Sequence, residues 1–269
     1  MAKIQKVIYY SDELRDEFST AVIQARPIDE NYDYGGKTFS WKVKRFFLHR
    51  IFAQPIAVLY LKLVFRHRIL NRSVLKKYKK GPMFVYGNHT NVFADPLVPT
   101  FVSFPQQAFV IVHPNNVSMP VWGKIMPYLG ALPLPDNFSA MKNFIGTVKY
   151  HVEHNKSIYI YPEAHIWPFY TKIRPFTDVS FKYPVDYGCP VFCFTNVYKK
   201  RRFSENPKML TYVDGPFFAD EKLSPKERRR KLRDEVYNAM CRRSALNDVE
   251  IVTYIKKEKP ERTGIEEQS

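Results

Sequence analysis

Acidic side chains are missing from residues 41–80, a stretch that holds twelve of the 42 lysines and arginines in this 269-residue chain. The formal charge of +16 is therefore unevenly spread, and the basic block needs an anionic counterpart or a solvated face. Long hydrophobic runs are missing too. The most apolar stretch, residues 51–61, is short of the ~20 residues a spanning helix needs, and Gln54, Pro55 and Lys62 interrupt it. Residues 1–15 contain no apolar segment, which argues against a secretory signal. Cysteine is scarce: Cys189, Cys193 and Cys241 make an odd count without metal-ligand spacing, so neither a disulfide framework nor a metal site is expected. No Gly-x-Ser-x-Gly elbow occurs, against a serine hydrolase, and no nucleic-acid-binding signature accompanies the basic block. Cysteine usage and the lack of a signal together predict a reducing, cytoplasmic setting.

What is present is an alternation of strand-like and helix-like segments. It favours an α/β fold: a central, mostly parallel or mixed sheet flanked by helices, with an N-terminal membrane-surface helical segment. Residues 1–36 read as a polar extension without an assigned role, 37–80 as a basic amphipathic helical segment, 81–255 as the catalytic domain and 256–269 as a disordered tail. Within 39–70 the pattern predicts two helical pieces broken near Pro55. They suit the headgroup layer, aliphatics in acyl chains and Lys or Arg against anionic lipid, at ~1 kcal/mol per basic side chain. An amphipathic helix packed on the core with a solvated basic face is the alternative. Strands are predicted over 83–86, 107–112, 129–134, 157–161, 189–197 and 208–213. Helical spacing covers 92–102, 139–153 with Ser139 as cap, and 176–187. Ser224-Pro225-Lys226-Glu227 is a capping box that opens a basic helix running to about Arg243.

Residues 84–95 read F-V-Y-G-N-H-T-N-V-F-A-D. The apolar run before them predicts a buried strand, and Gly87 frees the chain to turn at its end. The turn presents Asn88, His89 and Thr90, with Asp95 beyond. A histidine at a strand's carboxyl end beside a carboxylate is the minimum equipment for activating a hydroxyl. The imidazole takes a proton near neutral pH, while the carboxylate fixes its tautomer and stabilises the imidazolium. A second apolar run, 157–161, finishes in Pro162-Glu163-Ala164-His165. Two strands ending this way can open onto one crevice at the carboxyl edge of an α/β sheet.

On these residues the chain resembles the glycerolipid acyltransferases, the lysophosphatidic acid acyltransferase-like family, as a divergent member. Asn88-His89 and Asp95-Pro96 are similar to the family's Asn-His, four residues, Asp. Tyr161-Pro162-Glu163 is similar to the start of Phe-Pro-Glu-Gly-Thr-Arg-Ser, and Gly188-Cys189-Pro190-Val191 to the Pro-Val step into a late strand. Five residues, not four, separate His89 from Asp95, and Ala94 stands where the family's acid falls. One extra residue turns a helical side chain by about 100°, so the pair survives only if the turn before the helix absorbs it. The family's Gly-Thr-Arg is here Ala164-His165-Ile166, and the basic residue of the middle motif is absent from 130–136. Lys172 and Arg174 are the candidates for replacement charge, and the acceptor is expected to differ from glycerol phosphate or its monoacyl form.

The resemblance implies transfer of a fatty acyl group from acyl-CoA or acyl carrier protein to a hydroxyl of a lysophospholipid or related lipid acceptor. His89 is the candidate general base and Asp95 its support. Asn88, Thr90, Pro162, Glu163, Lys172 and Arg174 are the candidate substrate-binding residues. Oxyanion donors are expected at the Gly130 turn or at the helix after His89. No metal and no cofactor beyond the thioester co-substrate is required. Expected partners are a membrane surface with anionic lipid, the lipid acceptor and the acyl donor, without nucleic acid, at the cytoplasmic, inner face of the membrane. Trp167, Phe169 and Tyr170 read as packing, with an acyl-chain entrance as the alternative. A membrane-associated lipid-binding protein of this fold with a disabled site is the second reading.

Overall fold

The computed structural model describes residues 6–18 and 23–257. Two strands, β1 (Lys6–Tyr10) and β9 (Val252–Lys256), pair in parallel as a separate two-stranded sheet. The main sheet contains β2 (Arg68–Leu70), β3 (Met83–Gly87), β4 (Ala108–Val112), β5 (Ala131–Pro133), β6 (Ser157–Ile160), β7 (Val191–Lys199) and β8 (Lys208–Phe217). Their order is β2-β8-β7-β3-β6-β4-β5. The block from β7 to β5 is parallel; β8 is antiparallel to β7, and β2 is parallel to β8.

Strand β3 is central and buried at every residue, which is why its sequence is an unbroken apolar run. Successive side chains leave opposite faces of a strand. Phe84 and Tyr86 therefore pack on one side with Phe144 and Val148 of the Phe138–Glu153 helix and Val236 and Met240 of the Pro225–Ser244 helix. Met83 and Val85 pack on the other with Leu61, Phe65, Val98 and Val102. Tyr86 stands level with Ile160 of β6 and with Cys193 of β7. The carboxyl ends of three neighbouring strands thus share one edge, and the chain leaving each of them lands there.

Several expectations are corrected. The helix over residues 39–70 does not break at Pro55. It is continuous from Phe39 to Phe65, and its middle, Phe46–Ala53, is wound as a π-helix in which Gln54 N–H reaches the His49 carbonyl. Pro55 then sits in the first turn of the resumed α-helix, where a missing N–H costs little. Taken whole, these 27 residues are long and apolar enough to cross a membrane by length and composition, although the run 51–61 alone is not. The cap of the Phe138–Glu153 helix is Asn137, whose side chain accepts from Ala140 N–H at 2.8 Å, and not Ser139. The N-terminal extension has a structural part, since β1 zips onto β9. Lys256, placed in the disordered tail, pairs with Tyr10, while 258–269 lie outside the described residues.

Candidate active site

Strand β3 ends at Gly87, where the ring of Phe194 from β7 occupies the space a Cβ would need. The glycine serves that close approach; its φ is not in the left-handed region. One residue on, the Asn88 amide continues the β3–β7 ladder with a side chain. Its Oδ1 accepts Asn196 N–H at 2.7 Å, and its Nδ2 donates to the Asn196 carbonyl at 3.1 Å. The backbone is thereby released to turn, and His89 N–H donates to Glu163 Oε2 at 3.1 Å.

The extra residue before Asp95 is taken up in the turn. Asn91 Oδ1 accepts from Phe93 N–H at 3.2 Å and Ala94 N–H at 2.9 Å, an Asx turn that delays the helix until Val98. The predicted helix over 92–102 is therefore only Val98–Ser103, preceded by turns. Ala94 faces the apolar core, and Asp95 swings back to the histidine. Asp95 Oδ2 lies 2.9 Å from His89 Nδ1 and accepts Thr90 and Asn91 N–H, each at 2.8 Å. Its Oδ1 accepts Asn196 Nδ2 at 3.1 Å. The carboxylate is fully buried, yet four donors satisfy it.

These contacts fix the histidine's protonation pattern. A carboxylate only accepts, so the neutral ring carries its proton on Nδ1 and leaves the Nε2 lone pair free. The ring stacks on Tyr161, centroids 4.4 Å apart, and the Tyr161 hydroxyl donates to the Asp95 carbonyl. Burial, reinforced by the Asp95 charge, raises the Tyr161 pKa well above its usual value, so this phenol stays a neutral donor. Among the described residues no group of three or more His, Cys, Asp or Glu is placed to hold a metal ion.

Other candidates stand differently. Arg174 is not a charge offered to substrate. It is buried, its backbone N–H bonds Glu163 Oε1 at 3.1 Å, and its guanidinium lies 3.7 Å from Glu163 Oε2 while bonding the carbonyls of Glu13, Glu163 and His165. Burial raises the Glu163 pKa, and the Arg174 cation opposes that most strongly. Glu163 is thus an acceptor that holds the His89 and Arg174 backbones. Thr90 is buried, its hydroxyl 2.9 Å from that of Tyr198. Pro162 is half-buried and Lys172 exposed. The Gly130 turn lies at the amino end of β5, the edge opposite His89, which removes it as an oxyanion donor. Trp167 is buried, donates to the Asp16 carbonyl at 2.8 Å and stacks on Tyr254, so it is packing and not an entrance.

Three residues that matter escaped the sequence reading. Asn196 joins Asn88 to Asp95, Thr211 Oγ1 donates to Asn196 Oδ1 at 2.6 Å, and His67 Nε2 meets Thr211 Oγ1 at 2.7 Å. The only signal was Thr195-Asn196, a polar pair inside an otherwise apolar buried strand.

Residues 67–195 match the family model described as Acyltransferase. Just under half of the chain is thus similar to the acyltransferase family. The match runs from β2 into β7 and stops one residue before Asn196. Among solved structures, the crystal structure of the 1-acyl-sn-glycerophosphate (LPA) acyltransferase PlsC from Thermotoga maritima is similar at 14% identity and a TM-score of 0.46, over 78% of this chain and 95% of that one. No curated protein matches. Within the matched segment the His89–Asp95 pair and Tyr161-Pro162-Glu163, far apart in the chain, meet at one edge of the sheet.

Proposed function

We propose that this protein moves a fatty acyl group from a thioester, acyl-CoA or acyl carrier protein, to a hydroxyl of a lysophospholipid or related lipid. The observation that carries the reading is the 2.9 Å contact between His89 Nδ1 and a fully buried Asp95, which leaves Nε2 to act as base. His89 Nε2 takes the acceptor's hydroxyl proton as its oxygen bonds to the thioester carbonyl carbon. The tetrahedral intermediate collapses with cleavage of the C–S bond, and the imidazolium returns the proton to the departing thiolate. Asp95 stabilises the imidazolium between the two transfers. His89→Ala removes turnover across a panel of lysolipid acceptors while unfolding stays cooperative. Turnover that survives the substitution refutes the mechanism, and a wild type inert across the panel that binds those lipids favours the lipid-binding reading.

The Phe39–Phe65 helix supports a membrane surface as partner. Two of its polar side chains are buried against the domain while an apolar stripe is exposed. Arg45 and His49 turn inward, Arg45 Nη2 to the Ala108 carbonyl at 3.1 Å and His49 Nε2 to Thr100 Oγ1 at 3.0 Å. Phe52, Ile56, Leu59 and Leu63, spaced four, three and four residues apart along one stripe, face outward. Burial pulls the Arg45 pKa down to about 9 and the His49 pKa to about 4, a cost the fold bears to keep the outer stripe apolar. Docked on the domain along its length, the helix would lie in the interface with that stripe among acyl chains, on the inner, cytoplasmic face. Ile56→Glu with Leu63→Glu abolishes sedimentation with phosphatidylcholine vesicles that also contain phosphatidylserine. Sedimentation unchanged by the pair removes the helix from the reading.

A further inference from the structure

We propose that a basic pocket beside the active-site edge binds the nucleotide phosphates of an acyl-CoA donor; the inference rests on the acyl-transfer reading above. A cavity of 520 Å³ opens where the long helix ends, β2 begins and the β7–β8 hairpin turns. Arg66, Arg68, Lys200, Arg201, Arg202 and Lys208 line it, and among the described residues no carboxylate does. The nearby Asp248 is engaged by Lys199 Nζ at 3.4 Å. Arg201 is braced by the Val64 carbonyl at 2.9 Å, which ties the hairpin to the helix end.

Topology places the pocket on the same edge as His89. Because β8 runs against β7 and β2 runs with β8, their amino ends at Lys208 and Arg68 lie at the edge where β3 and β7 have their carboxyl ends. Three strand spacings separate β3 from β2, a lateral distance of ~14 Å. A row of hydrogen bonds spans it, from Asp95 through Asn196 and Thr211 to His67, which stands between Arg66 and Arg68. The pantetheine arm of coenzyme A has about thirteen bonds from phosphorus to sulfur. At the roughly 1.2 Å per bond of an extended peptide, that is ~16 Å. A thioester at His89 therefore puts the phosphates within reach of the pocket.

Charge and shape select the occupant. Coenzyme A carries a diphosphate and a 3′-phosphomonoester, about four negative charges near neutral pH, where a common phospholipid headgroup presents about one. Arginine forks grip phosphate oxygens in pairs. Phe203 is 89% exposed with the Arg202 guanidinium 5.1 Å from its ring centroid, an open aromatic face on which an adenine can stack.

The test uses the full chain and a Lys200→Ala/Arg202→Ala variant, both surface positions, checked for an unchanged unfolding midpoint. In calorimetry, adenosine 3′,5′-bisphosphate binds the wild type, more weakly as salt rises, and the variant binds it about tenfold less tightly, the loss expected for one or two charge-assisted hydrogen bonds. In turnover, the wild type prefers acyl-CoA to the same acyl chain on pantetheine, and the ratio of kcat/KM values falls about tenfold in the variant. A bisphosphate affinity or donor ratio that the variant leaves unchanged overturns the proposal. So does a variant that loses phosphatidylserine-vesicle binding, or turnover with acyl carrier protein, while keeping the bisphosphate. Bisphosphate binding by a wild type that transfers no acyl group refutes the acyl-transfer reading and leaves the pocket standing.

Discussion

The buried contacts of Asp95 make one substitution unusually informative. In Asp95→Asn the amide has one acceptor oxygen and one NH2 group. With the oxygen in the Oδ2 place, the bonds from His89 and from Thr90 and Asn91 N–H persist, and the NH2 faces Asn196 Nδ2, donor against donor. Turned the other way, the NH2 opposes three donors. Asn196 cannot relieve the clash by flipping, since its Oδ1 accepts Thr211 Oγ1. One buried donor is left unsatisfied, which costs about 1–3 kcal/mol. Catalysis loses more. Imidazolium and carboxylate charges about 4 Å apart interact by about 4 kcal/mol at the effective dielectric of such sites, a rate factor of roughly a thousand. The double variant Asp95→Asn/Asn196→Asp separates the two effects, because the residue-95 NH2 then donates to a carboxylate at 196. Urea unfolding recovers, while kcat with a thioester donor stays depressed because the charge has moved away from the ring. A double variant that regains turnover along with stability, or a single variant within about tenfold of wild-type kcat, refutes the role given to Asp95.

Glu163→Gln leaves the buried Arg174 guanidinium without its counter-charge, and urea unfolding should show a loss of about 3–5 kcal/mol; a loss below 1 kcal/mol contradicts the buried pair. Three inward histidines are held neutral chiefly by burial, with pKa values of about 4 for His49 and His67 and about 3 for His151, against 6.5 unfolded. The unfolded chain takes up protons first, so their contribution is complete above pH 6.5 and is lost as pH falls towards 4, on the order of 3 kcal/mol for each full shift. Unfolding midpoints should fall through that window. His151, stacked on Phe109, supplies the control: His151→Phe flattens the slope, and an unaltered slope removes it as a source.

What could be read from the chain was what local pattern encodes. The apolar runs of β3, β6 and β7 and the capping box of the Pro225–Ser244 helix stand within a residue or two of their predicted places. The five-residue pairing of β1 with β9 was hidden because nothing in either segment names a partner roughly 246 residues away. Pro55 misled because the π-wound turn before it, where Gln54 N–H reaches the His49 carbonyl, places the residue that lacks an N–H at the junction of the two windings, and the helix runs on. At the site, His89 and Asp95 are neighbours in the chain, so their pairing hung on one turn. Asn196 reaches Asp95 across 101 residues, and only the β3–β7 register brings them together. Arg174 was visible as a charge, but its direction was not, and direction decides whether a guanidinium serves substrate or scaffold.

Ala164 shows how a departure from the family pattern acquires physical meaning. It stands where the motif Phe-Pro-Glu-Gly-Thr-Arg-Ser has glycine, and its φ is +62°, the left-handed region that an L side chain occupies at a cost of roughly 1–2 kcal/mol. The turn it makes carries Glu163, and through Glu163 Oε2 it sets the His89 N–H. A glycine at this point of the motif is thus explained by the backbone alone, without any contact to substrate. Ala164 is exposed, so Ala164→Gly removes strain and little packing. Glycine's greater freedom in the unfolded chain returns about 0.5–1 kcal/mol of that gain. A net stabilisation of up to about 1 kcal/mol follows, read as a raised urea midpoint with kcat unchanged. If the glycine variant is destabilised instead, the left-handed turn does not describe this loop, and the placement of Glu163 against His89 loses its support.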